Sequence, residues 1–259
     1  MSPVRRNAAR HAIWAAVCMV VLAAAGCSTS STETKFQLGK VQGASFGNAL
    51  EAIGSHTAAD WAAGADAVAI VSVTHEEARE PAKLSTSVDA DLIGRNVTLS
   101  VDEVLWTSPE LKDHRNVPTL PDSFTTQKWG WTKNDGVTTE FMTRNSSRVE
   151  RGHTYIAALG WIPKVCGEEP EDAKWAIIGS GGALPYDDQT IGVGEFNGEP
   201  HKSIPPGHVQ PESLLKEAMG LKAADVVEKI VKAEGEKKRD VLANYRNLCD
   251  GGFVTDLHK

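Results

Sequence analysis

Between Val97 and Asp102 the chain alternates without a break. Val97, Leu99 and Val101 fall in one phase, and Thr98, Ser100 and Asp102 in the other. Side chains on a strand face opposite sides in turn, so this segment predicts a strand with one buried and one wet face. Ala67-Val68-Ala69-Ile70-Val71-Ser72-Val73 is apolar in both phases, which predicts a strand covered on both faces. The apolar phase slips at Val104-Leu105-Trp106, as a β-bulge would make it. Further short strands are expected over 124–132, 137–142, 155–162, 175–178 and 191–194. Prolines 109, 118 and 121, the Asn134-Asp135-Gly136 turn and Arg151-Gly152 separate them. The stretch from Glu76 to Leu92 is charged and polar and reads as a loop or as two ragged strand ends.

Helical spacing occurs at the two flanks of this β-rich region. Residues 48–63 read as two short pieces, the second capped by Thr57 and carrying Trp61. At the other flank, Leu214, Leu215 and Met219 form an apolar side that Gly220 stops. From Lys222 onward, Val226, Val227, Ile230, Val231, Val241, Leu242, Tyr245 and Leu248 keep helical spacing. The charged stretch 234–240 makes this one helix with a polar middle or two helices. The fold class is therefore mainly β with C-terminal α-helices, an α+β chain.

The N-terminus reads as an address. Arg5, Arg6 and Arg10 precede an apolar run from Ala12 to Ala25. Spanning a bilayer takes about 20 apolar residues, so this run is too short, and it reads as a secretory signal over residues 1–26. Ala24-Ala25-Gly26-Cys27 resembles the lipobox of bacterial lipoproteins, although Ala24 stands where that family usually has leucine. The resemblance implies that Cys27 is acylated and becomes the mature N-terminus. The protein would then be held to the extracytoplasmic face of the cell membrane through an N-terminal lipid. Residues 27–44 begin Cys-Ser-Thr-Ser-Ser-Thr, a polar run that reads as a flexible tether. Cys18 leaves with the signal, so Cys166 and Cys249 remain. Outside the cytoplasm they are a disulfide candidate, with two buried free thiols as the alternative.

Residues 58–195 resemble a β-barrel module of bacterial extracytoplasmic proteins. The resemblance rests on the helix-into-strand run 59–71, on Val101-Asp102-Glu103-Val104-Leu105-Trp106, and on Val149-Glu150-Arg151-Gly152-His153-Thr154-Tyr155 leading into a buried strand. It implies a small five- or six-stranded closed barrel, of the OB or tissue-inhibitor-like type, over residues 45–200. A helical segment over 207–252 would pack against it. Tissue inhibitors of metalloproteinases engage zinc through an N-terminal Cys-x-Cys. Here Cys27-Ser28-Thr29 stands instead, which excludes that route.

No motif commits the chain to a reaction. Ile178 stands where a Gly-x-Ser-x-Gly elbow around Ser180 would need glycine. The histidines are dispersed, without His-Glu-x-x-His or Cys-x-x-Cys, so no metal site is expected. Nucleotide loops are absent and no cofactor is expected. Glu168, Glu169, Glu171 and Asp172 read as a solvated acidic tip. A net charge of −7, which becomes −10 once the arginine-bearing leader is removed, argues against nucleic acid as a partner. Trp129 and Trp131 are two apart, so on a regular strand they share a face. That face is a candidate for stacking on a sugar ring or a partner surface. Alternatively, it seals the barrel beneath the C-terminal helices. Three functions stay open: a non-enzymatic module binding an envelope protein or a wall polymer, an envelope hydrolase with dispersed catalytic residues, and a purely structural role. An enzyme would gather titratable groups with shifted pKa values in one pocket. A binder would expose an aromatic patch.

Overall fold

The computed structural model describes residues 38–47, 54–80, 91–109, 117–162 and 174–233. The leader, Cys27, the Cys166 and Cys249 pair, the acidic run 168–172 and the chain beyond 233 lie outside the described residues.

The chain opens with strand β1 (Val41–Gly47) and helix α1 (Ala58–Gly64). It continues through β2 (Ala67–Ala78), β3 (Asp91–Thr107), β4 (Ser123–Asn134), β5 (Val137–Thr143) and β6 (Thr154–Ile162). Short strands β7 (Lys174–Ile177), β8 (Ala183–Pro185), β9 (Gly194–Phe196) and β10 (Glu199–His201) follow, then helices α2 (Leu214–Ala218) and α3 (Ala223–Ala233). Thr57 caps α1 as its sequence suggests. Its hydroxyl accepts from the Asp60 amide at 3.0 Å, and the Asp60 carboxylate accepts from the Thr57 amide at 3.0 Å. At seven residues α1 is too short to persist alone. Fully buried Trp61 holds it down, its indole donating to Ser55 O at 2.7 Å.

The strands form an eight-stranded sheet in the order β1-β5-β4-β3-β2-β6-β7, with β8 sharing an edge of β6 with β7. Strands β9 and β10 form a separate ribbon. Because β4 packs against β7 without pairing to it, the sheet curls into a half-barrel. The expected closed barrel of five or six strands is thus corrected: the sheet is open and has more strands. Closure requires the two end strands to exchange hydrogen bonds at a defined stagger. Here the end strands are β1, paired in parallel with β5 alone, and β7. Alternation in a sequence reports which face of a strand is buried, not whether two edges meet. Strand β1 also begins inside the stretch 27–44 that reads as a tether; its side chains are mostly exposed, and backbone pairing recruits it.

The doubly covered strand is where the two cores meet. Ala67, Ala69, Val71 and Val73 of β2 pack inside the curl with Val97, Leu99, Tyr155 and Leu159. Val68 points the other way, into a core with Trp61, Trp106 and Ile156. Val226 and Ile230 of α3 are fully buried in that second core; burying each contributes about 1.5–3 kcal/mol. The bulge expected near Val104 is present: Val68 faces Trp106 while Ala69 faces Val104, which leaves Leu105 as the extra residue.

Candidate functional site

Trp129 and Trp131 lie on opposite faces of β4. Gly94 pairs with Trp129 and the next residue back, Ile93, pairs with Trp131, so Gly130 is an inserted residue. A bulge of this kind shifts the side-chain phase by one. Trp129 consequently stays on the outer face and is 53% exposed, whereas Trp131 is turned inward and is 9% exposed. This corrects the expectation of a shared aromatic face. Trp131 is covered by an arginine, the Arg148 guanidinium lying 5.2 Å from its ring centroid.

Around Trp129 the register sets polar neighbours. Arg79, just past the end of β2, donates its amide to Gly94 O at 2.9 Å. Arg79, Gly94 and Trp129 therefore form one row across three strands. The glycine leaves a gap in that row, and the Arg79 side chain lies across it: a Cβ on Gly94 would stand 3.6 Å from Arg79 Cδ. The adjacent row pairs Asn96 with the exposed Gln127. An indole thus stands on the outer face of the sheet beside a glycine gap, a guanidinium and two amides.

Beneath this face, two buried arginines hold the bulge. Arg95, wholly buried, donates Nε to Trp129 O and Nη1 to Val149 O, each at 3.1 Å, and Nη2 to Arg148 O. Its charge meets Glu76 at 3.0 Å. Arg148 donates to Gly130 O at 3.2 Å and pairs with Glu150 at 2.8 Å. The other pole is Glu195, also wholly buried. Its carboxylate accepts from the amides of Arg148 (3.0 Å), Val149 (2.9 Å) and Gly198 (2.7 Å), and from the Tyr155 hydroxyl (2.8 Å). Aiming two successive amides at one carboxylate forces the turn there: Val149 has φ 66°, a conformation costly for a β-branched residue. Burial raises the Glu195 pKa, and the amides of Arg148 and Gly198 oppose the shift. Burial, and then the Glu195 charge, raise the Tyr155 pKa well above its ordinary value. Burial, and then the neighbouring Arg148 charge, lower that of Arg95.

These shifted groups form an internal clamp. Glu195 is surrounded by donors that already use its oxygens, and among the described residues Arg95, Tyr155 and Glu195 line neither the cavity of about 740 Å³ nor that of about 570 Å³. Ser180, weighed in the sequence as a nucleophile, lies 3.2 Å from His56 Nε2. The amide after a nucleophile is the expected oxyanion donor, but here Gly181 N donates to Ser55 Oγ at 2.9 Å. The adjoining cavity holds about 10 Å³, room for one water at most and none for a substrate.

Sequence reasoning missed Arg79, Gly94, Arg95, Arg148 and Glu195. One signal was present: Arg95 occupies the inward phase of Val97 and Leu99, where a charge must find partners. Comparison of the chain with protein-family models, with curated proteins and with solved structures gave no match.

Proposed function

We propose that this is a lipid-anchored extracytoplasmic protein that binds an envelope polymer carrying sugar rings, through the outer face around Trp129. The observation carrying this reading is the 53% exposed indole whose backbone is fixed from within by Arg95, and by Arg148 one residue on. An exposed tryptophan whose backbone is already fixed loses only side-chain freedom on binding, so more of the stacking energy appears as affinity. A pyranose ring would lie on the indole. Asn96 and Gln127 supply amide donors and acceptors for ring hydroxyls. Arg79 adds a planar fork suited to a carboxylate or phosphate substituent. The lipobox-like Ala24-Ala25-Gly26-Cys27 supports placement at the membrane surface, where such a polymer is in reach. In this reading a Cys166–Cys249 bridge fastens the C-terminal segment.

The test is co-sedimentation with purified, insoluble wall polymer. Trp129→Ala is expected to lower the bound fraction about tenfold, since losing one stacked ring costs ~1–3 kcal/mol, while the thermal midpoint is unchanged. Equal sedimentation of variant and parent would overturn the reading.

A further inference from the structure

The face that holds Trp129 continues along two strands. Beyond the Gly94–Trp129 pair, the outward cross-strand pairs of β3 and β4 are Asn96–Gln127, Thr98–Thr125 and Ser100–Ser123. At about 3.4 Å per residue, these four rows extend ~20 Å along the strands. Trp129, Gln127, Thr125 and Ser123 are exposed. The Thr98 and Thr125 hydroxyls lie 3.1 Å apart. One hydrogen bond between them leaves a hydroxyl proton and lone pairs for a ligand.

These eight positions hold no charge. Residues 94–100 and 123–129 contain two charged side chains, Arg95 and Lys128, which stand opposite each other in the inward phase. With 24% of the chain charged, and charge concentrated at surfaces, about two charges are expected among eight outward positions. The next strand returns to the ordinary pattern: β2 sets Glu77 beside Asn96, and Arg79 follows beside Gly94. The result is an uncharged lane, two strands wide, edged by charge and ending on an indole.

Hydroxyls and amides can be covered cheaply if the ligand returns their hydrogen bonds, whereas a covered, unpaired charge is costly. A protein partner would need an apolar centre, and Trp129 is the one large apolar side chain in the four rows. We infer that the lane binds an uncharged, linear glycan lengthwise. One ring stacks on Trp129, and the rings that follow take hydrogen bonds from the amide row and the two hydroxyl rows. This rests on the Trp129 reading and adds the charge, shape and direction of its ligand. A charged substituent is accommodated only at the Arg79 end.

The experiment is calorimetric titration of the full chain with chitobiose, with chitohexaose, and with the fully deacetylated hexamer at a pH where its amines are protonated. Chitohexaose is expected to bind at least tenfold more tightly than chitobiose. The cationic hexamer should bind at least tenfold more weakly than chitohexaose, although the acidic chain attracts it. Thr125→Glu, which puts a carboxylate in the third row, should weaken chitohexaose severalfold and leave chitobiose unchanged. Thr107→Glu, the same change of charge at the exposed far end of β3, should alter neither. Chitohexaose no tighter than chitobiose, a cationic hexamer that binds equally well, or equal effects of Thr125→Glu and Thr107→Glu would overturn the lane. Trp129→Ala separates the two readings: if it weakens both neutral ligands while length confers no gain, the lane alone fails. If it weakens neither, the Trp129 reading fails with it.

Discussion

Glu195 has its charge surrounded by donors and removed from water, and those two facts oppose each other. Desolvation is the larger, so its pKa in the fold lies above the ordinary value of 4.5. Below that value both folded and unfolded chains hold the proton, and the stabilisation is complete. As pH rises from 4.5 towards the raised value, the unfolded chain releases its proton first, and stability falls. Glu195→Gln cannot titrate. Its NH₂ would face amide or hydroxyl donors, so the variant should be about 1–3 kcal/mol less stable than the parent near neutral pH. The gap between the two should narrow as pH rises through the window above 4.5. Urea midpoints of both proteins at stepped pH check this, and a gap that widens would show that the fold favours the ionised form.

At the scale of elements, the bulge in β4 decides what the protein presents to its surroundings. Gly130 makes the bulge possible: a Cβ there would stand 3.2 Å from both Arg95 Cδ and the Ile93 carbonyl oxygen. Gly130→Ala must displace one or the other, and overpacking of this kind costs about 1–3 kcal/mol. The expected result is a lowered urea midpoint with unchanged slope; an unaffected midpoint would mean that β4 can shift freely. Much of the strand pattern was legible beforehand. Val97 to Val101 announced β3, the apolar run 67–73 announced the shared wall of two cores, and Thr57 marked the start of α1. The Trp129 row was not legible, because Arg79, Gly94 and Trp129 become neighbours only through the registers of two hairpins. Nor was the open sheet, because β1 has little apolar periodicity and joins through backbone pairing.

For the whole molecule, the proposed attachment rests on the lipobox-like Ala24-Ala25-Gly26-Cys27. Under the lipid-anchor reading, Cys27→Ala should move the protein from the membrane pellet to the soluble fraction, and unchanged fractionation would refute it. The acidic body, at −10 without its leader, would be repelled by an anionic membrane surface. It would therefore stand away from that surface at the end of its tether. The parallel pairing of β1 with β5 then acquires a mechanical meaning. A pull on the N-terminus enters the described fold through β1, an outer strand gripped by one neighbour and largely bare of core contacts. The load reaches β5 before it reaches the strands that share the two cores. Under that reading β1 would be the first strand to bear such a load, ahead of the strands that share the two cores.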